Sequence, residues 1–122
     1  MGLWKSIAIL NIDLPSEEEI INRMNKDTFI ATIRTILQKS FKDYPVRAFI
    51  FGSRATDTAR YNSDWDIGIE APSALPGHTM ERARADLEKI RTLHSFDLVD
   101  FHKVSDDFRR IAKRKTIPLF GY

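Results

Sequence analysis

Two short groups of residues, separated by ten positions, have the composition of a site for phosphate and metal. Gly52 and Ser53 end one apolar run, and Asp64 and Asp66 flank Trp65 at the start of another. Glycine lets the backbone turn tightly and approach a ligand closely. In an extended segment the two carboxylates leave one face and the tryptophan leaves the other. Because Mg²⁺ binds one or two carboxylates together with substrate phosphate oxygens, the pattern predicts a Mg²⁺–nucleotide site.

The stretches around these residues are typical of short buried strands. Residues 46–51, 66–69 and 96–101 are rich in β-branched and aromatic side chains. Between the second and the third, residues 79–93 have the apolar spacing of a helix. A helical crossover joins parallel strands, so strands two and three are predicted to be parallel. The loop between strands one and two suits antiparallel neighbours.

A two-metal site needs a further acidic ligand from another element, and strand three offers two. Asp97 and Asp100 are three residues apart and therefore point to opposite faces of a strand. If strands two and three start level, Asp97 lies beside Asp64 and Asp66, whereas Asp100 lies roughly 10 Å further along. Asp97 is therefore the predicted third ligand, and Asp100 is expected to be a surface acid.

The rest of the chain is predicted to flank the sheet. Helical patterns cover residues 17–25, 29–41 and 106–115, and the last of these has Phe108 and Ile111 on its apolar side. A single helical turn is expected at residues 56–59. The apolar tail is expected to dock on the sheet.

These elements together define the predicted fold and its limits. The fold class is α/β (α+β), a small mixed β-sheet of about three core strands flanked by helices. Residues 28–122 are the predicted domain, and residues 1–27 are an N-terminal extension that is partly helical.

Composition narrows the class of protein. The chain has 122 residues, of which 43% are hydrophobic and 30% are charged, as expected for one soluble globular domain. The net charge of +2 gives no case for nucleic acid as a partner. Without cysteine there is no disulfide framework, thiol nucleophile or Cys-based zinc site. No apolar run is long enough for a membrane span, so a cytoplasmic protein is expected.

The spacing of the two groups resembles the signature of the nucleotidyltransferase (DNA polymerase beta-like) superfamily. The superfamily has a minimal single-domain branch, the minimal nucleotidyltransferase (MNT) family. The sequence motifs of that branch are similar to Gly52-Ser53-Arg54-Ala55, Thr58-Ala59-Arg60 and Ser63-Asp64-Trp65-Asp66 of this chain. Residues 96–101 resemble the third strand of that branch. The resemblance covers roughly residues 28–122.

This resemblance implies a Mg²⁺-dependent transfer of a nucleoside monophosphate, with AMP from ATP favoured over other nucleoside triphosphates. Asp64, Asp66 and Asp97 would be the catalytic metal ligands, for two ions. Gly52 and Ser53 would hold the triphosphate. Minimal members often pair with a HEPN-domain toxin as its antitoxin, and some transfer AMP units onto a tyrosine of that toxin.

Several neighbouring residues have more than one interpretation. Arg54 either neutralises phosphate charge or is a solvated loop arginine. Trp65 is expected in the core. The three histidines, His78, His94 and His102, lack the spacing of metal ligands and are expected in loops or on the surface. The basic helix and the tail leave room for homo- or hetero-oligomers.

Two other functions fit the same residues. A non-catalytic module would neutralise its partner by complex formation and would tolerate loss of Asp64 and Asp66. A stand-alone transferase would modify RNA or a small molecule, although the small size leaves no second domain to grip such an acceptor. A calcium-binding loop is excluded, because Ile67 stands where its glycine is required.

Overall fold

The computed structural model describes residues 17–59, 63–92 and 94–121. The chain divides into two units, residues 1–31 and 32–122. Of the first unit, the helical segment from Glu17 is described, and the part of the predicted extension before it lies outside the described residues. No helix in these ranges is long and apolar enough to cross a membrane.

Eight elements follow one another along the described chain, and the helices alternate with the strands. They are α1 (Glu17–Ser40), β1 (Arg47–Phe51), α2 (Ser53–Thr56), β2 (Trp65–Glu70), α3 (Gly77–Glu88), β3 (Phe96–Asp100), α4 (Asp106–Ala112) and β4 (Ile117–Phe120).

The first helix is continuous, so the prediction of two helices separated near residues 26–28 was wrong. That segment contains neither glycine nor proline, and its polar residues reduce helix propensity by only a few tenths of a kcal/mol each. Asp27 and Thr28 are good caps, but a good cap does not break a helix when its backbone can continue. The helix ends at Ser40, five residues before Pro45.

The sheet has four strands in the order β3-β2-β1-β4, and the predicted mixed sheet is confirmed. β1 and β2 are antiparallel, and β2 and β3 are parallel, both as predicted. The tail was expected only to dock on the sheet. It forms the fourth strand, antiparallel to β1, with a register shift between Ala48 and Phe49. Pro118 is tolerated because β4 is an edge strand, where one backbone donor is not needed.

The two faces of the sheet carry different cores. On one face, Phe49, Phe51 and Phe101 form a buried aromatic cluster against which Val99, Val104 and Ala112 pack. Strand residues of the other face, including Ile50 and Ile67, are fully buried. Helices α1 and α3 contribute further buried apolar side chains, among them Ile33, Leu37, Met80, Ala83 and Leu87.

Helix α3 is shorter than predicted, because it ends at Glu88 rather than near residue 93. The amides of Lys89 and Ile90 donate to the backbone carbonyl oxygens of Asp86 and Leu87, which tightens the last turn and ends the helix. A hydrogen bond from Ser40 Oγ to Asp86 Oδ2, 2.7 Å long, joins the end of α1 to α3. This bond holds the pKa of Asp86 below its usual value.

Gly68 is the position where the aromatic core leaves no room for a side chain. A Cβ there would meet the rings of Phe49 and Phe101. Gly68→Ala should therefore lower the free energy of unfolding by about 1–3 kcal/mol, the usual cost of overpacking. Urea denaturation measures this.

Gly77→Ala is the matched control, since nothing lies within 4 Å of the added Cβ at the start of α3. It should be neutral or slightly stabilising. Equal effects of the two substitutions would contradict the packing argument.

Candidate functional site

The turn after β1 depends on glycine. Gly52 has φ 72° and ψ −153°, a region that is essentially restricted to glycine. The carbonyl of Gly52 accepts hydrogen bonds from the amides of Ala55 (3.1 Å) and Thr56 (3.2 Å), which starts α2. The helical turn ends where Asp57 adopts the left-handed conformation. The helical turn therefore lies three residues earlier than predicted and begins at Ser53, directly after the glycine.

Strand register brings the predicted acids to the same edge of the sheet as this turn. Asp66 is paired with Phe51 on one side and with Asp97 on the other. Directly opposite residues on paired strands share a face, so Asp66 and Asp97 face the same side. Asp64 lies just before β2 and, like Asp97, is exposed, whereas Asp66 is half-buried.

Gly52 and Asp66 are in close contact. A Cβ added to Gly52 would meet Oδ2 of Asp66, so the absence of a side chain at residue 52 makes room for the carboxylate. The glycine turn and the acidic strand are therefore adjacent in the structure.

The acids at this edge are close enough to affect one another. Burial raises the pKa of Asp66 above its usual value, and the negative charges of Asp97 and Asp64 raise it further. A carboxylate whose ionisation is disfavoured by burial and also by like charges is a place where a cation would be stabilised.

These groups fit a divalent cation chemically. Carboxylate oxygens are the hard ligands that Mg²⁺ prefers, and a cation would relieve the repulsion that raises the pKa of Asp66. Within residues 17–59, 63–92 and 94–121, no three acidic or histidine side chains are already arranged as a metal cage. The carboxylates therefore share an edge but would have to converge on an ion.

Arg54 lies on the opposite side of this edge from the carboxylates. Its guanidinium carbon is 4.7 Å from the centre of the Trp65 ring, and Trp65, next to Asp66 in the strand, faces the other side. The indole is 2% exposed, which confirms the expectation that Trp65 is in the core. Burial lowers the pKa of Arg54, which still remains protonated at neutral pH.

His94 contacts both Arg54 and Trp65, whereas the sequence indicated only a loop or surface histidine. Its Nδ1 is 3.4 Å from an Arg54 Nη atom, and its ring meets Trp65 edge to face at 6.3 Å. Burial and the Arg54 charge lower the pKa of His94, which favours the neutral ring. Arginine has no acceptor, so Nδ1 accepts and the ring proton is on Nε2. The only signal in the sequence was the position of His94, just before strand three.

Asp100 is not the surface acid that was expected. Its exposed fraction is 9%, and Oδ1 accepts a hydrogen bond from the His102 amide at 2.9 Å. Asp100 thus stabilises the turn that follows β3, on the face away from Asp97. His78 and His102 are exposed, as expected.

A groove of about 400 Å³ begins at the glycine turn and runs along α4. Phe108 and Ile111, which were predicted to form the apolar side of α4, line this groove and are 42% and 55% exposed. Phe108 touches the aromatic core at its edge, with its ring centre 6.0 Å from that of Phe51. The apolar side of α4 is therefore only partly used by the core.

Known proteins similar to this chain show to which family it belongs. A family model described as polymerase beta nucleotidyltransferase matches residues 31–121. The chain belongs to the polymerase beta nucleotidyltransferase family. A protein of Haemophilus influenzae named "Probable protein adenylyltransferase MntA" is 31% identical over 107 residues, which are 88% of this chain and 82% of that protein. The predicted family and the predicted enzyme class are confirmed.

Solved structures show the same fold as this nucleotidyltransferase. A toxin–antitoxin complex with AMP-PNP has a TM-score of 0.58 at 23% identity, covering 73% of each chain. A complex of a tri-AMPylated Shewanella oneidensis HEPN toxin with MNT antitoxin has a TM-score of 0.52 at 18% identity, covering 76% of this chain and 73% of that chain.

The raised pKa of Asp66 predicts that this carboxylate destabilises the metal-free nucleotidyltransferase at neutral pH. The folded state retains a proton that the unfolded chain releases near the usual pKa of 3.8, so stability falls as pH rises from there through the raised pKa. Asp66→Asn removes the charge and should raise the melting temperature at pH 7 by a few degrees. The gain is small because solvent screens a half-buried carboxylate.

The edge of the sheet that carries Asp64, Asp66 and Asp97 is called the acidic edge. Asp43→Asn, at an exposed aspartate outside the acidic edge, is the control and should leave the melting temperature unchanged. If Asp66→Asn melts below the wild type at pH 7, or has the same pH profile, the repulsion argument is wrong.

The contact between Gly52 and Asp66 predicts coupled substitutions. Gly52→Ala should cost about 1–3 kcal/mol for its backbone conformation, and further for its clash with the carboxylate. In an Asp66→Ala background the clash disappears and only the conformational cost remains. A double-mutant cycle by urea denaturation should therefore give a coupling energy clearly different from zero. Strict additivity would mean that the two residues do not compete for space.

Proposed function

We propose that this nucleotidyltransferase moves a nucleoside monophosphate, AMP from ATP, onto a protein acceptor with the help of Mg²⁺. The acceptor proposed is a HEPN-domain toxin, for which the chain acts as antitoxin in the cytoplasm. The observation that carries the proposal is the register that sets Asp97 beside Asp66, with Gly52 packed against the same carboxylate.

The proposed roles follow the positions of the residues. Asp64, Asp66 and Asp97 would hold two Mg²⁺ ions, which when bound neutralise the triphosphate and favour ionisation of the acceptor hydroxyl. The backbone of Gly52 leaves space for phosphate, and Ser53 donates its hydroxyl and its amide to the phosphate oxygens.

The reaction is a substitution at the α-phosphorus of ATP. The acceptor hydroxyl oxygen forms a bond to that phosphorus, and the bond from the phosphorus to the oxygen bridging to the β-phosphate breaks. Pyrophosphate leaves, and the hydroxyl proton passes to a carboxylate. Asp97 is suited to this last role, because it is exposed on the edge strand and a protein acceptor can reach it.

The choice of acceptor and nucleotide is supported by the relatives. The related H. influenzae protein is named as an adenylyltransferase of proteins. Two solved structures that share the fold are toxin–antitoxin complexes, one with AMP-PNP and one of an AMPylated HEPN toxin with MNT antitoxin. The acidic edge is accessible at Asp64 and Asp97, which a macromolecular acceptor requires.

Intact-mass spectrometry tests the proposal. A HEPN-domain protein from the same genome is incubated with this chain, Mg²⁺ and each nucleoside triphosphate in turn. The mass of the HEPN protein should rise by whole AMP units with ATP. The Asp64→Asn/Asp66→Asn variant should give no gain, whereas Asp43→Asn/Glu81→Gln, which makes the same change in charge at exposed positions, should give the full gain.

Other outcomes would point elsewhere. A complex that forms without any mass gain would favour a non-catalytic antitoxin. Nucleotide addition to RNA or to a small molecule, with the HEPN protein unmodified, would overturn the choice of acceptor. A gain that survives in the Asp64→Asn/Asp66→Asn variant would overturn the assignment of the site.

A further inference from the structure

We propose that Arg54 is a positioning residue that braces the three chain segments of the acidic edge. It contacts them from the face of the sheet opposite the carboxylates and so holds them at a fixed spacing. The inference rests on the proposed nucleotidyl transfer for its catalytic consequence, but its structural part can be measured without any activity. The three segments are the glycine turn with α2, the chain entering β2 and the chain entering β3.

The contacts of Arg54 reach all three segments. The residue itself lies in α2, next to Ser53. One Nη atom donates to the carbonyl oxygen of Ser63 at 2.7 Å, directly before Asp64. The same nitrogen lies 3.4 Å from Nδ1 of His94, three residues before Asp97.

Trp65 completes the brace. The guanidinium lies over the indole at 4.7 Å, a cation–π distance, and the indole is almost wholly buried. The Trp65 amide donates to the carbonyl of Ser95 at 2.9 Å, which joins the entry of β2 to the entry of β3. A cation held by the Ser63 carbonyl, the His94 imidazole and the Trp65 indole fixes the spacing between the segments that carry Ser53, Asp66 and Asp97.

The face of the sheet on which Arg54 lies distinguishes this positioning role from phosphate binding. Asp66 and Trp65 are consecutive in β2 and therefore point to opposite faces, and Arg54 lies on the Trp65 face. An arginine that contacted the triphosphate would have to lie on the carboxylate face. Arg54 therefore acts through the arrangement of the other residues, and its charge is already used by the indole, the Ser63 carbonyl and the imidazole.

The chemistry of the side chain explains why arginine is required. A guanidinium is planar, so it stacks on an indole with its face while its edge donates to acceptors in its own plane. A lysine ammonium would keep the charge and one hydrogen bond but would lose the stacking. Arg54→Lys should therefore restore only part of what Arg54→Met loses.

Amide hydrogen exchange tests the structural part of the proposal. Arg54→Met should speed exchange of the Trp65 amide by about tenfold or more. The Phe101 amide, which donates to Ile69 at the far end of the same pair of strands, should change by less than roughly twofold, because it is remote from the brace. Arg91→Met, at an exposed arginine, is the control and should change neither amide.

Kinetics with ATP tests the catalytic part. Arg54→Met should lower kcat by roughly 10- to 100-fold, as expected for misplaced reacting groups, and leave KM for ATP within about threefold. Arg54→Lys should fall between this variant and the wild type. A large rise in KM with unchanged amide exchange would assign Arg54 to phosphate binding and overturn the proposal. Unchanged exchange and unchanged kcat would also overturn it.

A second pair of variants covers the case in which Arg54→Met does not fold. His94→Asn retains an acceptor close to the position of Nδ1, and His94→Leu removes it. Only His94→Leu should speed exchange at Trp65, and equal behaviour of the two would contradict the brace. If the wild type proves to have no transferase activity, the proposed function fails while the exchange results still decide the role of Arg54.

Discussion

The register of three neighbouring strands determines where the acidic side chains of the candidate site lie. Asp66 is opposite Phe51 on the antiparallel side and opposite Asp97 on the parallel side. A slip of one residue in either pairing would move a carboxylate to the other face of the sheet. The alternation of core residues prevents such a slip, because Ile67 and Ile69 would then exchange faces with Asp66 and Gly68. The same apolar packing that stabilises the sheet therefore positions the acids that lie in the strands.

The acidic edge carries an energetic cost that the rest of the fold must offset. The pKa of Asp66 is raised by burial and by the charges of Asp97 and Asp64, so ionisation at neutral pH works against the folded state. The carboxylates are nevertheless fixed by strand pairing, and the opposite face carries the Trp65 indole with the Arg54 cation stacked on it. Attractive contacts thus lie on the Trp65 face of the sheet, and repulsive contacts lie on the carboxylate face. This arrangement keeps the carboxylates in place without neutralising them.

Much of this could be predicted from the sequence, because the signals were local. Strand runs, the crossover helix and the Gly-Ser and Asp-x-Asp spacing gave the family, the strand directions and the juxtaposition of Asp66 with Asp97. Other features could not be predicted. The continuity of α1 was missed because Asp27 and Thr28 are good caps only where a helix actually starts. The fourth strand was missed because a short tail containing proline has almost no strand signal of its own and depends on β1 for pairing. The His94 contact was missed because it depends on two segments that are 40 residues apart in the chain.

The contact between Gly52 and Asp66 has a consequence for how relatives of this chain should be compared. Two independent constraints act on residue 52, the backbone conformation of the turn and the space needed by the carboxylate. A lineage that had lost the carboxylate would be released from the second constraint but not from the first, because φ 72° with ψ −153° still excludes a side chain. Glycine would therefore persist in such descendants as long as the turn persists. Its presence in an alignment therefore reports the shape of the backbone, and only the acid at residue 66 bears on the proposed metal site.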